Sequence, residues 1–144
     1  MLPARITVVT LGARDLKRLR EFYVALGWQL AIDMDDFAAF ELRGAVLTLY
    51  ELDALVTDAS LEAPAAGGGS RGSNLAVNVD DIEQVDEAIE TARAAGATIS
   101  REPFTADWGG RTAYFLDPED NLWEVAWVPP DSQMAGLIRK ASGL

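Results

Sequence analysis

Histidine and cysteine are both absent from this chain of 144 residues. Without cysteine there is no disulfide, no thiolate nucleophile and no cysteine metal site. The missing histidine is the more consequential absence, because it removes the commonest general base at neutral pH and the commonest metal ligand. Any catalysis would have to use carboxylates, tyrosine, lysine, arginine or backbone groups. Positive charge is also scarce: 12 basic residues stand against 23 acidic ones, a net charge of −11. Such a surface repels phosphate backbones and anionic lipids, so neither a nucleic acid nor a membrane is expected as a partner. It suits a cationic or neutral small ligand, and it also favours solubility. No stretch approaches the ~20 apolar residues of a membrane-spanning helix. The first residues run straight into a strand-like segment without a signal-peptide core, so a cytoplasmic location is expected.

What is present is 49% apolar and 24% charged, a balance that supports one packed domain. A β-branched, apolar run over 6–11 reads as a strand. Asp15 offers an N-cap, and Leu16, Leu19, Phe22, Tyr23 and Leu26 follow at helical spacing until Gly27. Strand-like runs come next at 28–33, 37–42 and 45–52. The second half repeats the order: a strand over 75–79, a helix capped by Asp80 or Asp81 with Ile82, Val85, Ile89 and Ala92 as its apolar stripe, then Gly96 and strands at 97–101, 111–116 and 122–127. Val8 aligns with Asn74 and Asp15 with Asp81 at an offset of 66, and Gly27 aligns with Gly96 at 69. The expected fold class is therefore α+β, with two βαβββ modules (5–53 and 73–128) forming a curved mixed β-sheet cleft. A Gly-rich stretch over 63–72 reads as the linker. Pro129 and Pro130 end the last strand, and a short helix over 131–141 carries Met134, Leu137 and Ile138 on one face, to pack on its own domain or on a dimer partner.

Particular residues sharpen the reading. Leu11-Gly12-Ala13-Arg14-Asp15-Leu16, with Phe22-Tyr23 and Leu26-Gly27-Trp28, forms one cluster. Val77-Asn78-Val79-Asp80-Asp81 and Ala95-Gly96-Ala97 form its second-half counterpart. Trp108-Gly109-Gly110 through Phe115, then Asp117-Pro118 and Leu122-Trp123-Glu124-Val125, read as a closing hairpin. In this order they resemble the vicinal oxygen chelate superfamily, which includes glyoxalase I, extradiol dioxygenases, and fosfomycin and bleomycin resistance proteins. The resemblance implies four cleft positions where metal-dependent members hold their ligands. Here those positions carry Val8, Thr48, Asn74 and Glu124. Val8 has no donor atom, and Thr48 and Asn74 are weak neutral ones. One carboxylate and one amide are too few for a divalent transition metal, so no metal and no cofactor is expected.

Strand alternation sets Glu124 on one face with Leu122 and Ala126, and Trp123, Val125 and Trp127 on the other, under the second helix. In the cleft, Glu124 has three options: to accept a hydrogen bond from Asn74, to bind a ligand amine, or to act as a base. The alternative reading is a carboxylate simply satisfied by Asn74, Arg111 or water. Thr48 and Tyr50 would line the first-module side. Trp108 and Arg111 sit where a hairpin would overhang the cleft, and Trp108 is either a stacking surface or a plug. Trp28, Trp123, Phe22 and Tyr23 belong to the core. The expected function is metal-independent binding of a small cationic or aromatic ligand by a homodimer, as in bleomycin resistance. The alternative is a lyase or isomerase of the glyoxalase type with Glu124 as acid or base.

Overall fold

The computed structural model describes residues 1–67 and 69–143, so Gly68 of the expected linker lies outside the described residues. The chain divides into two compact units, Met1–Ala66 and Gly67–Leu144.

In the first unit, β1 (Val8–Ala13) leads into α1 (Leu16–Ala25), then β2 (Gln29–Asp33), β3 (Phe37–Glu41) and β4 (Val46–Glu51). The sheet order is β1-β4-β3-β2. β1 and β4 are parallel and the other pairs antiparallel. β1 starts two residues later than its β-branched run suggests, because the ladder with β4 begins at Val8↔Val46 and leaves Ile6 75% exposed. Asp15 caps α1 as expected, its Oδ1 accepting from the Arg18 N–H at 3.1 Å. Removing that acceptor in Asp15→Ala is expected to cost about 1 kcal/mol, read as a lower midpoint in chemical denaturation. Leu16, Leu19, Phe22 and Tyr23 on α1 are buried. Tyr23 forms the aromatic centre, stacked on Trp28 at 5.3 Å, edge-on to Phe22 at 5.1 Å and 5.8 Å from Phe40.

One element escaped the sequence reading. After β4 the chain forms α2 (Leu52–Asp58), where a strand was expected to run through Leu52. Leu52, Leu55 and Val56 have helical spacing, but the apolar strand before them masks where the period changes. α2 packs on β1 and β4. The fit explains Gly12: a Cβ there would meet Leu52 Cδ1 at 2.8 Å and Leu55 Cδ2 at 3.2 Å.

The second unit repeats the plan with β5 (Leu75–Asn78), α3 (Gln84–Ala94), β6 (Thr98–Thr105), β7 (Arg111–Leu116) and β8 (Leu122–Trp127), in sheet order β5-β8-β7-β6. β5 and β8 are parallel, and the rest antiparallel. Val85, Ile89 and Ala92 of α3 are buried, and α3 packs on β6, β7 and β8. Two details differ from expectation. Neither Asp80 nor Asp81 caps α3 through its side chain; the helix begins later, and Gln84 Oε1 accepts from the N–H groups of both aspartates at 3.0 Å. Ile82 consequently precedes the helix and is 36% exposed. β6 runs on to Thr105 in spite of Pro103, which lies on an edge strand within the register shift between Arg101 and Phe104, where proline is tolerated. Two register shifts accompany that extension. Gly27 and Gly96 end their helices at φ +90° and +100°, conformations that resist any Cβ. After β8, α4 (Gln133–Ser142) is capped by Ser132, whose Oγ accepts from the Ala135 N–H at 3.1 Å. Among the described residues, no helix is long and apolar enough to cross a membrane.

Candidate functional site

The β7–β8 turn fixes where Glu124 falls. Asp117 is 3% exposed, and its Oδ1 accepts from the N–H groups of Glu119 and Asn121 at 2.9 Å. The Asn121 amide bonds the same carboxylate, and Arg71 reaches back to Asn121 Oδ1 at 3.2 Å. This clamp sets the register of β7 on β8, with Tyr114 opposite Glu124 and Thr112 opposite Ala126. On the other side, Ala76 faces Glu124 and Asn78 faces Ala126. Paired residues point to the same face, so Glu124 shares a face with Ala76, Asn78, Thr112 and Ala126. Trp123 and Val125 point the other way and are buried, with Trp123 stacked on Phe115 at 6.3 Å.

Both oxygens of Glu124 accept hydrogen bonds. Asn74 Nδ2 donates to Oε2 at 3.0 Å, and the Thr112 hydroxyl donates to Oε1 at 3.0 Å. Thr112, 2% exposed, was not foreseen; a small polar residue within a buried strand was the available signal. Arg111 does not join the group. One position along β7 it faces the opposite side, pairing with Trp127, and its guanidinium grips Asp86 of α3 through two bonds of 2.6 and 2.7 Å. The grip holds the Asp86 carboxyl below the usual carboxylate range and the Arg111 guanidinium above its own. The sequence-level grouping of Arg111 with Glu124 is therefore corrected. Among the described residues no ion pair involves Glu124.

Glu124 opens onto a groove of about 380 Å³. Ala76, Asn78 and Ala126 line it from the sheet, Val128 from just beyond β8, and Ser132, Met134 and Ile138 from the α4 segment, and Trp108 completes it. Trp108 sits in the β6–β7 turn, closed by Ala106 N–H to Gly110 O at 2.8 Å and Gly109 N–H to Ala106 O at 2.9 Å. Its indole lies over Gly110, where a Cβ would overlap the ring, and it remains 54% exposed.

Thr48 and Tyr50 belong to the first unit. Thr48 faces Thr10 across β1–β4 as Glu124 faces Ala76 across β5–β8, so the repeat makes Thr48 and Glu124 equivalent. Thr48 is 6% exposed and its hydroxyl is bonded to that of Thr10 at 2.6 Å. The Tyr50 hydroxyl donates to Asp58 Oδ2 of α2 at 3.1 Å. That bond, with the charges of Asp58 and Asp36, raises the phenol above its usual value. Because the folded value is the higher one, the stability from this bond is complete below the ordinary tyrosine range, about pH 10, and is lost as pH rises through the folded value. Absorbance titration of wild type against Tyr50→Phe is expected to show this late phenol, and Asp58→Asn to bring it earlier. Val8 is 51% exposed and offers no donor.

The donor set does not fit a transition metal. Glu124 is its one strong ligand, both carboxylate oxygens accept hydrogen bonds, and among the described residues no group of three Asp, Glu, His or Cys is placed to hold an ion.

A sequence model described as the Glyoxalase/Bleomycin resistance protein/Dioxygenase superfamily matches residues 5–125. The chain belongs to this superfamily. Among solved structures, a glyoxalase-related enzyme from Fulvimarina pelagi is 29% identical with a TM-score of 0.79, over 88% of this chain and 90% of that one. A glyoxalase/bleomycin resistance protein/dioxygenase from Nocardioides is 28% identical with a TM-score of 0.77, over 92% and 88%. A lactoylglutathione lyase from Agrobacterium tumefaciens, 23% identical with a TM-score of 0.68 over 88% and 95%, shares the fold. No curated protein sequence matches significantly. The two four-stranded mixed sheets with their helices are those of the glyoxalase superfamily.

Proposed function

We propose that this glyoxalase-superfamily protein is a metal-independent binder of a small organic cation, with Glu124 as the anchor for its charge. One observation carries the reading: Glu124 is held by two neutral donors, Asn74 and Thr112, and opens onto a largely apolar groove. Neutral donors orient the carboxylate without cancelling its charge. A ligand ammonium would supply the missing counter-charge in a setting less screened than open water. The acidic surface, with a net charge of −11, would draw a cation toward the groove. Proton transfer by Glu124, the lyase or isomerase reading, would use the same carboxylate. Among the described residues, however, no second titratable side chain lines the groove to complete an acid–base pair.

The test is an NMR titration with benzylammonium at low salt, together with elemental analysis of protein purified without a histidine tag. Saturable shifts around Glu124 that weaken with added salt are expected, with substoichiometric metal. Stoichiometric zinc, iron or manganese, or shifts that never saturate, would overturn the proposal.

A further inference from the structure

The groove has two chemically different parts. Its floor carries Glu124; its outer wall is Trp108 with Met134 and Ile138 of α4. That wall has little packing of its own. Trp108 and Met134 are 54% and 57% exposed, and Ala135 is the buried residue of α4.

α4 is closed at both ends by contacts of its own. Its N-terminus is closed by Ser132, whose hydroxyl also donates to Pro129 O at 2.7 Å, and Arg139 bonds Pro130 O at 3.3 Å. Gly143 closes its C-terminus at φ +70°. The helix is thus built on its own leader segment, and it sets a flexible thioether and a branched chain beside the anionic floor. The Trp108 turn lies against the same leader: a Cβ on Gly109 would meet Pro129 Cγ at 3.6 Å.

Resting on the proposed anchoring role of Glu124, we infer that Met134, Ile138 and Trp108 are specificity-determining residues that select an ammonium attached to a flat apolar body. Partly solvated apolar side chains lose contact with water only when a ligand body covers them, so the body is where their binding contribution arises. Methionine adapts to an aromatic face, and its sulfur favours the ring edge. A volume of about 380 Å³ lies near the lower end of small-molecule sites, which suits a body of one or two rings.

The experiment is an NMR titration of the full chain with methylammonium, benzylammonium and neutral benzyl alcohol. It compares wild type with Met134→Ala and Gly110→Ala, and includes Glu124→Gln as the control for the anchor. Met134 is mostly exposed, so its truncation leaves the fold intact; the alanine Cβ at position 110 pushes the Trp108 ring from its seat while keeping the indole. Wild type is expected to bind benzylammonium about 10-fold or more tighter than either of the other two probes. Met134→Ala and Gly110→Ala should each lose about 3- to 10-fold for benzylammonium and leave methylammonium unchanged. Equal affinity for the two amines, or equal losses for both in the variants, would overturn the selection role while leaving Glu124 as an anchor. Conversely, benzylammonium binding that is lost in Met134→Ala but indifferent to Glu124→Gln would overturn the anchor and keep the apolar wall.

Discussion

Replacing Glu124 with glutamine is expected to weaken benzylammonium binding by about 10- to 100-fold, or about 1.4–2.8 kcal/mol. Glutamine keeps the shape of the side chain and removes the charge. A hydrogen bond to an ionised group is worth about 1.5–3 kcal/mol, and the half-buried setting of Glu124 keeps the loss within that range. Stability should change little, because both neighbours adapt. The carboxylate accepts from Asn74 and Thr112, and glutamine presents one donor and one acceptor. The Asn74 amide turns over to offer its oxygen, or the Thr112 hydroxyl rotates, so no buried donor is stranded. A Tm within about 2 °C of wild type is therefore expected alongside the affinity loss. The salt dependence separates charge from shape: wild-type affinity should fall with ionic strength, and that of Glu124→Gln should be nearly flat. A variant that binds as tightly as wild type would remove the carboxylate from the site.

The largest stability effect is expected at Phe40. Its side chain is fully buried in β3, between the strand partners Leu30 and Leu47 and 5.8 Å from the Tyr23 ring. Phe40→Ala removes the ring and leaves a cavity that cannot collapse, because Tyr23 is itself held by Phe22 and Trp28. The expected cost is about 3–5 kcal/mol, a large share of a typical domain stability of about 5–15 kcal/mol. Equilibrium denaturation measures it, and a loss below about 1 kcal/mol would mean that the aromatic cluster around Tyr23 repacks. Phe40 belongs to the first unit and Glu124 to the second, so the two substitutions address separate sheets.

Much of the fold was legible because it is periodic. The apolar stripe of Val85, Ile89 and Ala92, the glycines at 27 and 96 and the twofold βαβββ order are properties of residue spacing, and spacing survives folding. α2 was missed because Leu52 extends an apolar strand and the change of period falls inside that run. The cap of α3 was misassigned because aspartate is a good cap in general, whereas here Gln84 satisfies the backbone from inside the helix.

For the site, the sequence by itself determined the donor chemistry: no histidine, no cysteine, and one carboxylate at the repeat-equivalent position. It also set the face of Glu124, since a strand alternates with a period of two whatever its surroundings. Only tertiary structure decided which groups meet that carboxylate. Asn74 lies 50 residues away and Thr112 12; Thr112 arrives through the pairing of β7 with β8, and Asn74 stands just before β5, which pairs on the other side of β8. Arg111, adjacent to Thr112, is carried to the opposite face by the same pleat and captured there by Asp86. α4 follows the same rule: its apolar residues were visible in the sequence, but its place beside the groove depends on where Pro129 and Pro130 turn the chain. Contacts between distant segments depend on register and turn geometry, and a shift of one residue exchanges one face for the other.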